Sequence, residues 1–216
     1  MTVWAIVVAA GSGSRFGARK QYELLGDRRV LDWAVVAART VAAGVVLVVP
    51  PDERARGEAR VEAVVDGGAT RSASVRAGLA AVPPDADVVV VHDAARPLAT
   101  ASLFRSVVAA VLDGADGAVP GVPLADTVKR VQDGAVVATL DRADLVAVQT
   151  PQAFRAAALR QAHAGGGDAT DDAALVEASG GRVVVVVGEA TNVKLTAPGD
   201  LAAAQGWLGR AGAPSR

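Results

Sequence analysis

The sequence predicts an α/β fold: a doubly wound, mostly parallel sheet with an inserted β-hairpin arm. Three observations carry this expectation. Short, uniformly apolar, β-branched runs recur; helical patterns separate them; and one pair of alternating runs around Asp133-Gly134 breaks the rhythm. Strands too apolar to have a solvent face must be covered on both sides, and their alternation with helices places those covers on the two faces of a parallel sheet.

The runs at 3–8, 44–49, 61–65, 88–92, 117–122 and 182–187 read as the strands. Apolar residues at three- and four-residue spacing mark helices over 30–41, 72–82, 102–112, 154–164, 171–179 and 198–208, several opened by Ser, Asp or Pro. Between them, 126–131 and 135–140 are short, alternating and joined by Asp133-Gly134, a dipeptide that favours a tight hairpin. Such an insertion suits either an arm reaching a neighbouring subunit or a flap on its own subunit. Residues 209–216 read as a frayed tail. No repeat or long linker divides the chain, so one domain over 1–216 is expected, with the arm at about 124–148.

Composition narrows the classes of function. With 216 residues, 51% of them hydrophobic, the chain can bury a real core. It has no cysteine, hence no disulfide framework and no thiolate zinc site. Its 22 basic and 23 acidic side chains give a net charge of -1, so no global field draws it to nucleic acid or to an anionic membrane, and any anion site must be local. The apolar opening at 3–10 follows no Lys or Arg and is too short to span a bilayer; it reads as a buried first strand, and the cytoplasm is the expected compartment. Only Lys20, Lys129 and Lys194 among the basic residues are lysines, in a chain whose bias favours Arg. A position that needs a compact point charge rather than a planar fork resists that bias.

In open α/β sheets ligands sit beyond the carboxyl ends of the strands. The loop after the first strand is Ala9-Ala10-Gly11-Ser12-Gly13-Ser14-Arg15-Phe16-Gly17-Ala18-Arg19-Lys20-Gln21. A glycine-rich turn between strand and helix offers unpaired backbone N–H groups to an anion. It is not a Walker A loop, since Gln21 follows Lys20, and Gly11, Gly13 and Gly17 are spaced one residue too wide for a dinucleotide turn. A nucleoside triphosphate fits: backbone groups cradle it while Arg15 and Lys20 reach its phosphates. The fourth strand runs into Asp93-Ala94-Ala95-Arg96-Pro97, where Asp93 either caps a turn or meets metal or substrate. Ser74, just after Gly67-Gly68, either caps a helix or offers its hydroxyl to a base. His92 and His163 are expected as packed or solvated histidines, and Asp171-Asp172 as a helix start.

The glycine loop with Lys20-Gln21-Tyr22 resembles the signature of sugar-phosphate nucleotidyltransferases. Later motifs follow in order: Asp66-Gly67-Gly68-Ala69-Thr70-Arg71-Ser72-Ala73-Ser74-Val75, His92-Asp93-Ala94-Ala95-Arg96-Pro97, Asp126-Thr127-Val128-Lys129, Gln149-Thr150-Pro151-Gln152, Thr170-Asp171-Asp172 and Thr191-Asn192-Val193-Lys194. Together they resemble the 2-C-methyl-D-erythritol 4-phosphate cytidylyltransferase family, over roughly 3–208. The resemblance implies a Rossmann-like fold of nucleotidyltransferase type that joins CTP to the polyol phosphate and releases pyrophosphate. It also implies magnesium or another divalent cation, and a homodimer whose arms complete each other's sites. By that resemblance Arg15 and Lys20 stabilise the reacting phosphates, and Arg142 and Lys194 position the substrate phosphate. Ala9, Ala10, Gly11, Gly13, Gly68, Ala69 and Ser74 meet the nucleotide. Asp93, Arg96, Thr127, Thr150 and Thr170 line the substrate pocket, with Asp93 also a metal contact.

Two departures from the family pattern stand out. Fewer residues separate Arg15 from Lys20 than in many relatives, with Arg19 where Pro is common, so Arg19 could share or take over some of the work of Lys20; and Ala69 stands where some relatives carry an acidic residue. Three rivals remain at this stage. One is a cytidylyltransferase for another polyol phosphate such as ribitol 5-phosphate, and another a nucleotide sensor without catalysis. The third is an NAD(P)-dependent oxidoreductase, which expects an acidic residue closing the second strand, where Val49-Pro50-Pro51 offers none but Asp52 is near.

Overall fold

The computed structural model describes residues 1–11, 19–56, 58 and 60–211. Strand β1 (Val3–Val8) lies inside the main sheet, flanked in parallel by β4 (Gly44–Val49) and β6 (Val88–Asp93), with β5 (Ala63–Asp66) parallel to β4 at the edge. Every residue of β4 and β6 is buried, as runs without a polar face require. Beyond β6, β11 (Gln152–Arg155) pairs antiparallel with both β6 and β7 (Gly117–Pro123), so β7 returns to the common direction. β12 (Val183–Val187) runs parallel along one edge of β7. β10 (Val146–Val148) and β11 take the other edge in succession, with a cis Thr150–Pro151 peptide between them.

The faces of the sheet are covered by different helices. α1 (Val30–Ala38) and α3 (Ala101–Leu112) set Leu31, Val35, Leu103 and Phe104 against Ala5, Val7 and Leu47. On the opposite face α2 (Arg71–Ala81), α4 (Ala156–Ala164) and α5 (Asp172–Ala178) set Val75, Leu79, Leu159 and Val176 against Ile6, Val46 and Val48. Alternate residues of β1 therefore feed two cores, each buried Val, Leu or Ile contributing about 1.5–3 kcal/mol. A smaller cluster of Leu25, Val30, Leu195 and Ala204 seats α6 (Pro198–Ala211) beside the ribbon of β2 (Leu24–Leu25) and β3 (Arg28–Arg29).

The predicted architecture holds, with shifts at the ends of elements. The helix expected over 30–41 stops at Ala38, and the strand expected over 61–65 starts at Ala63. The helix expected from residue 154 starts at Ala156, because Phe154 and Arg155 are taken into the ladder opposite Val89 and Val88. The arm is a hairpin of β8 (Val128–Gln132) and β9 (Ala135–Leu140), turning through Asp133 (φ 51°) and Gly134 (φ 79°). Both turn residues are left-handed, as a two-residue type I′ turn demands. Val146–Val148, expected as the arm's end, has rejoined the main sheet.

Gly78, on the buried face of α2, makes the tightness of this packing testable. A Cβ there would lie 2.5 Å from Ile6 Cγ2 and 3.1 Å from Val48 Cγ2. Gly78→Ala should therefore destabilise by about 1–3 kcal/mol of overpacking, against the roughly 1 kcal/mol gain in helix propensity. A denaturation midpoint at or above that of the parent would contradict this.

Candidate active site

Two loops close on each other at the carboxyl ends of β1 and β5. Ala9 extends β1 by donating its amide to the Val48 carbonyl (2.8 Å). The buried Gln21 reaches back to the same segment, its Nε2 donating to the carbonyls of Ala9 (2.8 Å) and Gly11 (3.1 Å). A single amide thus fixes the start of the glycine loop from the turn Lys20–Tyr22 at its end. Opposite, a Cβ on Gly67 would fall 2.2 Å from the Ala10 Cβ, and one on Gly68 2.5 Å from the Ala73 Cβ. Glycine is needed because the Ala10 and Ala73 methyls fill the space a side chain would take.

The Gly68 amide donates to Ser74 Oγ (3.1 Å), and that hydroxyl donates to the Thr70 carbonyl (3.0 Å). Thr70 is the cap of α2, accepting from the Ala73 amide. Ser74 thus holds the turn that a base would meet. Of the residues expected at the nucleotide, Gly11, Gly68 and Ala69 are exposed, Ala10 half-buried, and Ala9 and Ser74 buried. Gly13 and Arg15 lie outside the described residues. Arg19 is tied by its guanidinium to Asp52 (2.8 Å) and Glu53 (2.7 Å). The same pair occupies Asp52, the acidic residue that a dinucleotide-binding reading would have needed for a ribose.

A second cluster forms at the carboxyl end of β6. The nearly buried Asp93 takes Lys194 Nζ on Oδ2 (2.6 Å) and Arg71 Nε on Oδ1 (3.2 Å). Burial opposes its ionisation, yet Arg71 and Lys194 outweigh burial and hold the carboxyl well below the usual carboxylate range. Arg96 stands close by, its Nη1 donating to the Asn192 carbonyl (2.7 Å); burial lowers its pKa, with Asp93 pulling the other way. Thr150 is buried rather than open: its Oγ1 accepts from the Asp93 amide (3.0 Å) and lies 3.2 Å from His92 Nδ1. His92 Nε2 meets the Arg96 carbonyl (3.1 Å), so Nε2 carries the hydrogen and Nδ1 accepts from Thr150.

Lys194 arrives from a loop that sequence reasoning did not see as built. Gln149 brackets it, Nε2 donating to the Glu189 carbonyl (2.8 Å) and Oε1 accepting from the Glu189 amide (3.1 Å) and Asn192 Nδ2 (3.2 Å). Asn192 Nδ2 also donates to the Thr150 carbonyl (2.9 Å), and the Leu195 amide to the Ala95 carbonyl (2.8 Å). Gln21, Arg71, Gln149 and Asn192 all stood inside the quoted motifs, and their place beside the Lys20, Asp93 and Lys194 positions was the available signal. Asp171 caps α5, as expected. Thr170 is exposed just before it. Thr127 is exposed on the arm, and the hydrogen bond that Arg142 makes, to the Ala125 carbonyl, stays within the arm.

Among the described residues no group of three or more His, Cys, Asp or Glu side chains could hold a metal. Asp93, whose two oxygens already accept from Arg71 and Lys194, keeps lone pairs enough to give a divalent cation one contact but not to cage it. The donor set therefore fits a cation carried by a ligand's own phosphate oxygens, and not one caged by the protein. Nor is any helix of the described residues long and apolar enough to cross a membrane.

An open α/β sheet, a Gly67-Gly68 turn closed against Ala10 at the end of its first strand and a cation cluster at a neighbouring strand end define a protein of the nucleotidyltransferase class of fold. Residues 3–210 match the 2-C-methyl-D-erythritol 4-phosphate cytidylyltransferase family, and the chain belongs to it. A bifunctional IspD/IspF enzyme of Nitratidesulfovibrio vulgaris is 45% identical over 94% of this chain, which spans only 57% of that relative. A Cereibacter sphaeroides protein named 2-C-methyl-D-erythritol 4-phosphate cytidylyltransferase is 45% identical, over 96% of this chain and 97% of its own length. The crystal structure of the Thermus thermophilus protein of that name superposes with a TM-score of 0.82 at 38% identity, covering 96% of this chain and 98% of the other.

His92 gives the site a pH signature. Burial pushes its pKa down from 6.5 to about 4, against a weaker upward pull from Asp93. Between those values the unfolded chain binds the proton and the folded chain does not, so stability falls as pH drops from 6.5 toward 4, by about 3 kcal/mol in full. His92→Gln should lose less stability than the parent between pH 7 and pH 4.5 in urea titrations. Equal losses would refute the assignment.

Proposed function

We propose that this chain transfers a cytidylyl group from CTP to 2-C-methyl-D-erythritol 4-phosphate, giving 4-CDP-2-C-methyl-D-erythritol and pyrophosphate. A phosphate oxygen of the polyol attacks the α-phosphorus of CTP, one P–O bond forms, and the bond to the β-phosphate breaks. The attacking oxygen is already ionised, so no general base is needed, and the obstacle is bringing two polyanions together. The observation that carries this reading is the gathering of Arg71, Arg96 and Lys194 around Asp93, in a chain matching the family along almost its whole length.

In this reading the backbone of Ala9, Ala10, Gly11 and Gly68, with Ser74 bracing the turn, receives the cytidine. Lys20 and Arg15 stabilise the triphosphate, and Lys194 and Arg96 receive the polyol phosphate near Asp93 and Thr170. Thr127 and Arg142 act from the arm, best supplied by a second copy in a homodimer; Val131, Val136 and Val137, each more than half exposed on the hairpin, favour such a partner. A magnesium ion held mainly by the phosphates, with Asp93 as its protein contact, would neutralise charge on the reacting phosphates. The cytoplasm is the fitting compartment for a cysteine-free chain with these substrates.

The direct test is incubation with magnesium, CTP and methylerythritol phosphate, with mass spectrometry for the CDP product and ribitol 5-phosphate in parallel. Turnover of ribitol phosphate alone would overturn the choice of acceptor; CTP binding with turnover of neither would favour a sensor. Lys20→Ala should lower kcat by on the order of 10²-fold to 10³-fold, while Arg19→Ala stays within a few-fold of the parent. The reverse ranking would transfer the role to Arg19. Arg142→Ala should raise KM for the polyol phosphate and not for CTP in steady-state kinetics.

A further inference from the structure

We infer that Arg71 is a positioning residue, and that the hydrogen-bonded chain His163, Asp172, Arg71, Asp93, Lys194 sets where the Lys194 ammonium meets the acceptor phosphate; this rests on the transferase reading above. The five side chains come from five places in the fold: α4, the first residue of α5, the first residue of α2, the last residue of β6, and the loop before α6. Asp172 is wholly buried, and both its oxygens are spoken for: His163 Nε2 donates to Oδ1 (3.0 Å) and Arg71 Nη1 to Oδ2 (2.7 Å). A carboxylate held from two sides is a fixed anchor. Arg71, held by it, presents Nε to Asp93 Oδ1 (3.2 Å) and so leaves Oδ2 facing Lys194 (2.6 Å).

Lysine needs that help more than arginine would. Its ammonium is a point charge on a flexible four-carbon stem, and the Lys194 side chain is 41% exposed. Only a carboxylate in a set orientation confines such a charge, and Asp93 is oriented from behind by Arg71. Arginine is required at position 71 because two carboxylates in different directions call for a planar fork. Stability alone does not explain the arrangement. Buried ion pairs are often no more stabilising than apolar packing, and Arg71 Nη2 and His163 Nδ1 are both enclosed without a hydrogen-bond partner among the described residues.

The test compares Asp172→Asn and Arg71→Lys with the parent by circular dichroism, by calorimetric CTP affinity without the polyol phosphate, and by steady-state turnover. Each variant should raise KM for methylerythritol phosphate on the order of 10-fold to 100-fold, with CTP affinity within about twofold. In a Lys194→Ala background, Asp172→Asn should add little further loss, since both act on one ammonium. His163→Gln, which keeps a donor for Asp172, should lose less than His163→Leu, and this pair decides if the others unfold. Unchanged kinetics, equal losses for both substrates, or full additivity with Lys194→Ala would overturn the positioning role. A parent protein without turnover would instead overturn the transferase reading, and this inference with it.

Discussion

A negative charge set at the end of a fully buried strand governs the rest of this molecule. The six residues of β6 are all enclosed, and the last of them is Asp93. An ionised carboxylate in such surroundings costs several kcal/mol unless cations and donors meet it. Arg71, Lys194 and the site's backbone follow from that need. Arg71 comes from the start of α2 and Lys194 from a loop 101 residues further on than Asp93, so keeping that carboxylate charged joins segments that the chain alone leaves far apart. His92, one residue earlier, stays neutral under burial, which frees its two nitrogens to bridge Thr150 and the Arg96 carbonyl.

The side proposed for the nucleotide obeys a different constraint, which is steric. Gly67 and Gly68 are where they are because Ala10 and Ala73 occupy the space a side chain would take. The contact brings the carboxyl ends of β1 and β5 together, and Gln21 then fixes the first loop from its far end. One end of the site is therefore shaped by steric closeness and the other by charge pairing, which in the proposed function would suit a base read by peptide groups and phosphates gathered by cations.

This division explains what the sequence disclosed. Burial on both faces of a strand forces β-branched apolar runs, so β1, β4, β6 and β12 were legible at once. β11 was not, because Gln152-Ala153-Phe154-Arg155 is short and mixed, and only the free edges of β6 and β7 draw it into a ladder. In the site, glycine turns were legible because sterics leave one choice, and Lys20 and Lys194 because a chain biased to arginine kept them. Arg71 was hidden among 19 arginines, the 22 basic residues less three lysines, since nothing local separates an exposed guanidinium from one locked between two carboxylates. Gln149 and Asn192 were hidden for a related reason: what an amide joins is decided by the tertiary fold.

The arm is the segment whose form makes least sense by itself. A two-stranded ribbon is at best marginally stable in water, and this one leaves Val131, Val136 and Val137 largely in solvent while tightly specified at its Asp133-Gly134 turn. A sequence that defines a hairpin so closely yet leaves it uncovered suits a second surface, which the homodimer proposed above would provide. Arg142 and Thr127 lie on this segment, apart from the glycine turn and from Asp93 along the chain. In that proposal, recognition of the nucleotide would be internal to one subunit, while recognition of the acceptor would depend on assembly. Such a separation would let the acceptor pocket be completed by the same contact that buries the valines.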